Sequence, residues 1–327
     1  MKQKRFTFLL LFVANLFCAS AQKWYTPEID QKVEDLLKQM TVEEKLGYIG
    51  GVNWMYTKSI DRLGIHRMKM SDGPQGLGTD GKSTAYPSTV TLAATWNENL
   101  AYQYGKALGR DCRARNVNVI LGPAVNIYRA PMCGRNFEYM GEDPYLTSRI
   151  CVGYIKGVQD QGVMATVKHF VANNSDYDRN NISNDIDERT LNEIYFPAYK
   201  AAIQEAEVGA VMTSYNLMNG IYTTENPWLL KEVLRNQWGF KGLVMSDWGS
   251  THYCVPAAKG GLDLEMAGGE KMNPKDMAYY LKTGDVTMDM VDEKVRHILR
   301  ILIAFGFKDG TQADKNIPLD DQKSAET

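Results

Sequence analysis

The segment Gly242-Leu-Val-Met-Ser-Asp-Trp-Gly249 delivers a carboxylate and an aromatic ring directly after a short apolar run. In parallel α/β folds a strand interior is buried on both faces, so a charged residue such as Asp247 is tolerated where the strand opens into a site crevice. A carboxylate followed by an aromatic ring, here Trp248, is typical of a site that cleaves sugars. The alternative is that Asp247 caps a following helix, as Asp often does after a strand.

Apolar runs that end in polar or glycine-rich turns recur along the chain. They are Met68–Ser71, Val117–Leu121, Val163–Val167, Ala210–Thr213, Leu243–Ser246, Leu262–Glu265 and, less clearly, Leu92–Thr95. Between them, apolar residues recur at helical three and four residue steps. These helical segments are Asn99–Arg115, Asp143–Gln161, Glu188–Glu207 and Trp228–Gln237. Alternating strands and helices predict an α/β fold with a parallel sheet.

The polar residues gathered at the carboxyl ends of these runs favour a (β/α)8 TIM-like barrel over an open doubly wound sheet, and the span of about 250 residues suits it. An eighth strand is not evident in the pattern. The predicted barrel is therefore irregular, or it contains one strand that the pattern does not reveal.

Composition narrows the classes of function. At 327 residues the chain can form one large barrel or two modest domains, and 44% hydrophobic residues with a net charge of -2 give no indication of a nucleic-acid partner. No glycine-rich phosphate loop is present. No metal or cofactor is predicted, because the histidines lack zinc-type spacing. They are His66, His169, His252 and His297.

The amino terminus predicts export. Lys2, Lys4 and Arg5 precede the apolar run Phe6–Phe17, and Ala19-Ser-Ala21 offers the small residues that a signal peptidase reads. A retained anchor is the weaker alternative, because the run is too short to span a bilayer. We therefore expect a signal peptide over residues 1–21, no membrane span after its cleavage, and a periplasmic or extracellular protein.

Export leaves the state of the cysteines open. The four cysteines that remain after cleavage would allow three disulfide pairings, and free thiols inside the barrel are equally compatible with the sequence. They are Cys112, Cys133, Cys151 and Cys254.

A series of short motifs, in this order, resembles glycoside hydrolase family 3, and in particular the amino-terminal barrel of its two-domain β-glucosidases. The motifs are Asp72-Gly-Pro-Gln-Gly76, Tyr86-Pro-Ser88, Ala93-Ala-Thr-Trp96, Gly122-Pro-Ala-Val-Asn126, Gly134-Arg-Asn-Phe-Glu138, Gly141-Glu-Asp-Pro144, Lys168-His-Phe170, Glu188-Arg-Thr-Leu191, Ser214-Tyr-Asn216, Ser246-Asp-Trp248 and Gly261-Leu-Asp-Leu-Glu-Met266. Each motif alone is weak, but the ordered set runs from about Ile29 to Phe307.

The resemblance implies a role for each matching residue. Asp247 matches the nucleophile of retaining hydrolysis, which forms a covalent glycosyl-enzyme. Asp72 matches a carboxylate that accepts hydrogen bonds from sugar hydroxyls. Arg135 and Lys168 match cations that hold the sugar and keep neighbouring carboxylates ionised, and His169 completes the Lys-His pair.

Further matches border the sugar site. They are Tyr215, Trp248 and Met266. For several matched residues a purely structural role is the alternative: Arg135 and Glu138 as an ion pair under a loop, His169 as a buried core histidine, and Tyr215 and Met266 as packing residues.

The match is incomplete at one point. Retaining hydrolysis needs a second carboxyl group as acid and base, and in the two-domain relatives it comes from an αβα sandwich that follows the barrel. Here Val286–Phe305 resembles the closing helix of a barrel that ends near residue 310, and residues 311–327 resemble a polar linker. We therefore expect a barrel, residues 22–310, whose second domain is missing. Loop carboxyls that could substitute are Glu142, Asp176, Asp178, Asp185 and Asp187.

Three hypotheses follow for the function. The chain is the barrel of an exported retaining exo-β-glycosidase, a β-glucosidase or else a β-xylosidase, completed by a separate αβα-sandwich domain. Alternatively, it acts alone as a weak hydrolase, or it is a non-catalytic glycan-binding barrel. The expected ligand is a β-linked oligosaccharide or glucoside in each case. A barrel that normally packs against a second domain is also expected to expose an apolar patch at its carboxyl-end face.

Overall fold

The computed structural model describes residues 24–79, 83–309, 313–314 and 316–318. The predicted signal peptide, residues 1–21, lies outside the described residues, as does most of the predicted tail, residues 311–327. In the described part of the tail, the backbone N–H of Asp314 donates to the carbonyl oxygen of Arg113 at 3.0 Å.

A five-stranded parallel sheet forms the centre of the fold, with the order β1-β2-β3-β5-β8, and a small second sheet has the order β4-β6-β7. The strands are β1 (Met70–Asp72), β2 (Val119–Leu121), β3 (Met164–Phe170), β4 (Ser183–Asn184), β5 (Ala210–Thr213), β6 (Leu217–Met218), β7 (Ile221–Tyr222) and β8 (Leu243–Met245). All residues of β2, β3, β5 and β8 are buried, as expected for strands covered on both faces. The α/β class with a parallel sheet is therefore confirmed.

Helices connect and cover the strands. The α-helices are α1 (Pro27–Gln39), α2 (Val42–Tyr48), α3 (Thr89–Ala93), α4 (Glu98–Ala114), α5 (Pro144–Gln159), α6 (Glu188–Thr190), α7 (Pro197–Gln204), α8 (Cys254–Gly260), α9 (Pro274–Thr283) and α10 (Met288–Ala304). Residues Leu191–Tyr195 and Trp228–Gln237 form π-helical turns. No helix within the described ranges combines the length and the apolar character needed to cross a membrane.

Isolated bridges extend the pairing beyond both edges of the five-stranded sheet. Next to β8, Met245 pairs with Leu264, and Glu265 pairs in parallel with Gly50. Next to β1, Tyr56 pairs antiparallel with Lys69 and with Val52. The predicted strand Leu262–Glu265 thus forms bridges rather than a regular strand, and the pairing partners at residues 50–56 have no counterpart among the predicted strands.

Two local predictions are wrong. The weak seventh strand, Leu92–Thr95, is instead the end of α3 and the turn after it, because Ser88 caps that helix by accepting a hydrogen bond from the backbone of Thr91. The predicted helix Glu188–Glu207 is divided: Pro197, which cannot donate a helical hydrogen bond, begins a new helix there. The helices α4, α5 and α10 lie within one to two residues of the predicted bounds.

A buried cluster of charged side chains links helix α10 to strand β8. Asp263 accepts hydrogen bonds from Arg235 at 2.6 Å, from His297 Nδ1 at 2.8 Å and from the backbone N–H of Val244 at 2.8 Å. Nearby, the buried ammonium of Lys294 donates to two backbone carbonyls. Burial lowers the pKa of Lys294 to about 8, against the attraction of Asp263.

The four described cysteines are free thiols. Cys112, Cys133 and Cys151 are buried, whereas Cys254 is half-buried with its Sγ 3.4 Å from Sδ of Met277. The sequence left open whether these cysteines form disulfides or remain free thiols, and the structure has free thiols.

Candidate active site

The predicted site residues meet at the carboxyl edge of the parallel sheet. Asp72 ends β1, Lys168 and His169 lie near the end of β3, and Asp247 follows β8 by two residues. Because parallel strands present their carboxyl ends on one side, these four residues from distant parts of the sequence converge there. Arg135 joins them from the loop after β2.

Asp247 is a buried acceptor of the site, with only 7% of its surface exposed. Its Oδ1 accepts a hydrogen bond from the backbone N–H of Trp248 at 2.7 Å, and its Oδ2 lies 3.5 Å from Nη1 of Arg135. Burial raises the pKa of Asp247 above its usual range, while Arg135, Lys168 and the Trp248 N–H oppose that rise. The carboxylate is therefore poorly hydrated but still paired with donors.

The alternative role of Asp247 as a helix cap is wrong. The next helix, α8, begins seven residues later at Cys254, and its N-cap is Tyr253. The side chain of Asp247 instead holds the turn that carries Trp248.

His169 is a buried, neutral histidine with a defined tautomer. Nη2 of Arg135 lies 2.8 Å from Nε2 of His169, and a guanidinium can only donate, so Nε2 must accept. Nδ1 then carries the proton and faces Oδ1 of Asn126 at 3.3 Å, while Asn126 also bonds the His169 backbone. Burial, followed by the charges of Arg135 and Lys168, lowers the pKa of His169 well below its usual value.

Glu138 ties the two cations of the site together. Its Oε1 accepts from Nε of Arg135 at 2.5 Å, and its Oε2 lies 3.6 Å from Nζ of Lys168. Glu138 is 3% exposed, so both ion pairs are shielded from water. Burial alone would lower the pKa of Lys168, but Glu138 and Asp72 hold it above its usual range, and the ammonium stays charged.

Asp72 sits at the open end of this network. Nζ of Lys168 donates to Oδ1 of Asp72 at 2.8 Å, yet about half of the Asp72 side chain is exposed. Desolvation would raise the pKa of Asp72, but Lys168 and Arg135 hold it below its usual range. The carboxylate faces a cavity of about 530 Å³ that Arg135 and Phe137 also line, so an ionised acceptor is available to a ligand there.

Tyr215, Trp248 and Met266 are connected by hydrogen bonds to the turn that follows Asp247. The hydroxyl of Tyr215 donates to the carbonyl oxygen of Trp248 at 3.0 Å, and the indole N–H of Trp248 donates to the carbonyl oxygen of Trp54 at 2.8 Å. Met266 is buried, and its carbonyl oxygen accepts from the N–H of Gly249. The peptide bonds Lys168–His169 and Met266–Ala267 are cis.

The loop carboxyls are engaged elsewhere or lie in solvent. Asp187 caps α6, Asp185 accepts from the Ser183 hydroxyl, and Asp178 accepts from the side chain of Asn181. Asp176 lies 3.6 Å from Arg179, and Glu142 is exposed. None of these contacts directs a carboxyl group to Asp247.

Sequence reasoning missed three contributors to the site: the bridging role of Glu138, the hydrogen bonds of Asn126 to His169, and the carbonyl of Trp54 that holds Trp248. Glu138 and Asn126 stand in motifs that marked the resemblance, and the three-residue spacing of Arg135 and Glu138 already suggested an ion pair. That same pair proves to belong to the site. Nothing in the local sequence points to Trp54, because its partner is 194 residues away.

Comparison with known proteins identifies the family. The sequence profile of the glycosyl hydrolase family 3 N terminal domain matches residues 39–301. The chain belongs to glycosyl hydrolase family 3. The predicted family resemblance is therefore confirmed over the same part of the chain that carries the site.

Curated relatives of this family 3 chain are named as β-glucosidases. A β-glucosidase of Rhizobium radiobacter is 44% identical over 280 residues, which cover 84% of this chain and 34% of the relative. Thermostable β-glucosidase B of Acetivibrio thermocellus is 41% identical, with 87% of this chain and 40% of the relative covered. The family 3 chain thus spans well under half of the length of these relatives.

Solved structures give the same relationship. β-Glucosidase 3B of Thermotoga neapolitana, in complex with glycerol, superposes with a TM-score of 0.84 at 37% identity, covering 90% of this chain and 45% of that one. A β-glucosidase of Kluyveromyces marxianus in complex with glucose gives a TM-score of 0.84 at 34% identity, covering 90% and 37%.

Proposed function

We propose that this chain is the barrel of a retaining, exo-acting β-glycosidase, with β-glucosidase as the favoured activity and β-xylosidase as the alternative. The observation that carries the proposal is the buried carboxylate of Asp247, paired with Arg135 and set beside an open, ionised Asp72. The relatives named as β-glucosidases support a glucoside as substrate.

In the proposed reaction Asp247 is the nucleophile. Its carboxylate oxygen attacks the anomeric carbon as the glycosidic C–O bond breaks, and the leaving oxygen takes a proton from a general acid. Water, deprotonated by the same group, then attacks the anomeric carbon. The bond between that carbon and the Asp247 oxygen breaks, so the sugar leaves and the carboxylate of Asp247 is restored. Burial of Asp247 favours the attack, since a poorly hydrated carboxylate loses little solvation in the transition state.

Binding of the sugar is assigned to the charged residues around the cavity. Asp72 accepts from hydroxyls of the terminal sugar, while Lys168 and Arg135 donate to hydroxyl oxygens. Because His169 is neutral and its Nε2 is occupied by Arg135, it orients that guanidinium rather than transferring a proton. Tyr215, Trp248 and Met266 bound the sugar on the side of the nucleophile.

The general acid and base is proposed to come from a second, αβα-sandwich domain outside the described residues. Lys168 and Arg135 hold the pKa of Asp72 below its usual range, and both oxygens of Glu138 are engaged by Arg135 and Lys168. We therefore assign the proton donor to neither of these two residues. The greater length of the relatives supports a further domain, in the same chain or a separate one.

Closure of the sheet into an irregular (β/α)8-like barrel is part of the proposal. It is supported by the bridges that link Glu265 to Gly50 on one side and Lys69 to Tyr56 on the other, with Val52 and Tyr56 paired between them. The antiparallel segment at Tyr56 would make the barrel irregular. Export to the periplasm or the outside also remains a proposal, resting on the amino-terminal pattern.

The decisive experiment uses a substrate that needs little acid assistance. The purified chain is incubated with an activated 2-fluoro-glucoside, and the intact mass is measured beside that of Asp247→Asn. A covalent adduct on the wild type alone supports the nucleophile, because a good leaving group departs without a general acid. An adduct on both proteins would refute the assignment to Asp247.

The second candidate is a glycan-binding barrel that does not turn over substrate, favoured by the observation that the contacts of the described loop carboxyls direct none of them to Asp247. Calorimetric titration with glucose and xylose distinguishes the two. Sugar binding without any adduct would favour the binding protein, and turnover of an aryl β-glucoside by the chain alone would favour a weak hydrolase.

A further inference from the structure

Arg179 covers the face of a site residue from a neighbouring loop. Its guanidinium carbon lies 4.0 Å from the ring centroid of Tyr215, which is the geometry of a cation–π contact. Arg179 belongs to the loop between β3 and β4, whereas Tyr215 follows β5. The contact therefore joins two loops that rise from the same edge of the sheet.

The ring of Tyr215 is in turn connected to the nucleophile. Its hydroxyl donates to the carbonyl oxygen of Trp248, the residue after Asp247, at 3.0 Å. Burial and then the facing carboxylate of Asp247 hold the pKa of Tyr215 above its usual range. A change in the tilt of this ring would move the hydroxyl away from the turn that presents Asp247.

Asp176 anchors Arg179 in its place. Oδ1 of Asp176 lies 3.6 Å from Nη1 of Arg179, and this buried oxygen has no hydrogen-bond partner among the described residues. A Cβ built on Gly134 would lie 3.5 Å from Oδ2 of Asp176, so this carboxylate packs against the backbone just before Arg135. The pair thus bridges two sides of the site.

We infer that Arg179, anchored by Asp176, is a positioning residue that fixes the ring of Tyr215 beside Asp247. This inference rests on the proposed function, in which Asp247 attacks the sugar. Arg179 acts through Tyr215 and not on the substrate, so its removal slows formation of the covalent adduct while leaving sugar affinity nearly unchanged. Its charge also opposes the rise in the pKa of Tyr215 and contributes to the lowered pKa of His169, consistent with its closeness to both.

The test measures the maximal rate and the half-saturating concentration of labelling by the 2-fluoro-glucoside. Arg179→Met is compared with Arg179→Lys, which keeps the cation, and with Arg189→Met. Arg189 is a matched control, because it is an arginine in a similar but exposed ion pair. It lies on α6 and pairs with Glu193 in the π-helical turn that follows. The Arg179 change is then repeated in a Tyr215→Leu background.

We expect Arg179→Met to lower the maximal rate about five- to tenfold, with less than a twofold change in half-saturation, because the lost cation–π contact is worth on the order of 1 kcal/mol. Arg179→Lys should recover part of the rate, and Arg189→Met should change neither constant. In the Tyr215→Leu background Arg179→Met should cost less than twofold. An equal loss in both backgrounds, or a loss of affinity alone, overturns the inference.

A second readout does not depend on chemistry. The fluorine resonance of 3-fluorotyrosine at position 215, assigned with Tyr215→Phe, should shift and broaden in Asp176→Asn but not in Arg189→Met. A resonance that is unchanged in Asp176→Asn overturns the inference. If the wild type forms no adduct but this resonance responds, the proposed function fails while the positioning of Tyr215 by Asp176 and Arg179 stands.

Discussion

Nη2 of Arg135 donates to Nε2 of His169 at 2.8 Å, and both side chains lie 3.5 Å from the same oxygen of Asp247. Because Nε2 has no proton, His169 donates no hydrogen bond to that oxygen, whereas Nη1 of Arg135 does. The contact between His169 and Asp247 is therefore not an ion pair, and the histidine serves as a neutral support for the guanidinium.

The first prediction concerns the protonation state of His169. Long-range proton–nitrogen spectra should show a proton on Nδ1 only, and this pattern should persist as the pH falls to 5, because burial and two neighbouring cations lower the pKa of His169. The signals are assigned with His169→Gln, and the exposed His66 provides an internal reference. A doubly protonated ring at pH 6 would contradict the prediction.

The pH dependence of labelling should report on Asp247. Only the ionised carboxylate attacks, and burial raises its pKa, so labelling should decline on the acid side at a higher pH than for an exposed aspartate. Lys168→Met should move this acid limb to still higher pH, since Lys168 opposes the rise. Lys32→Met, on the exposed face of α1, is the control. An acid limb that stays in place in Lys168→Met argues against this electrostatic coupling.

Glu138→Gln should destabilise the fold and impair the site together. The substitution leaves two buried cations without their shared carboxylate, and breaking such a pair typically costs about 3–5 kcal/mol. The free energy of unfolding, measured by urea denaturation, should therefore fall by about 3–5 kcal/mol. Glu193→Gln breaks an exposed ion pair and should cost less than about 1 kcal/mol. If both variants lost the same unfolding free energy, the ion pairs of Glu138 would contribute no more to stability than an exposed ion pair.

The lowered pKa of buried Lys294 predicts that the free energy of unfolding depends on pH in the alkaline range. The pKa of Lys294 is lowered in the folded state to about 8 from the usual 10.5. Between those values the unfolded chain binds more protons, so the contribution of Lys294 to the unfolding free energy rises with pH, by up to about 3 kcal/mol. It is measured as the difference between the wild type and Lys294→Met, with Lys259→Met as the exposed control. A constant difference from pH 7.5 to 10 would contradict it.

The exposed aromatic side chains near the site should promote self-association. Trp54, Phe137 and Tyr177 are each more than half exposed and are attached to loops that carry site residues. Sedimentation velocity of the chain should show concentration-dependent association that weakens in Phe137→Ser but not in Tyr279→Ser, which changes an exposed aromatic residue on helix α9. A monodisperse monomer at all concentrations would argue that this face needs no partner.

Sequence patterns predicted the strands and helices whose apolar spacing can be seen within a single short segment of the chain. The apolar runs that became β2, β3, β5 and β8 are fully buried, and the helices α4 and α5 begin directly after the capping residues Asn97 and Asp143. Leu92–Thr95 failed because a short apolar run does not distinguish a strand from a helical turn. The capping hydroxyl of Ser88, four residues earlier, was the signal that decided it.

The site itself was predicted by residue type but not by contact. Family motifs indicated Asp72, Arg135, Lys168 and Asp247, and the structure brings all four together. Their couplings depend on loops that approach each other only in the folded chain, so the bridge through Glu138 and the acceptor role of His169 are not readable from spacing. Leu262–Glu265 shows the same limit, because its partners at Ile49–Gly51 are far away in sequence.

Carboxyl groups and cations are unequal in number in the network of site residues. Three carboxylates, Asp72, Glu138 and Asp247, face two cations, Arg135 and Lys168, while His169 is neutral. The pocket therefore holds more carboxyl groups than cations, and charge interactions are strong around the buried Asp247. As a target for inhibitors, it should prefer protonated iminosugars to neutral lactones of the same shape, and the preference should fade once Asp72 is changed to Asn.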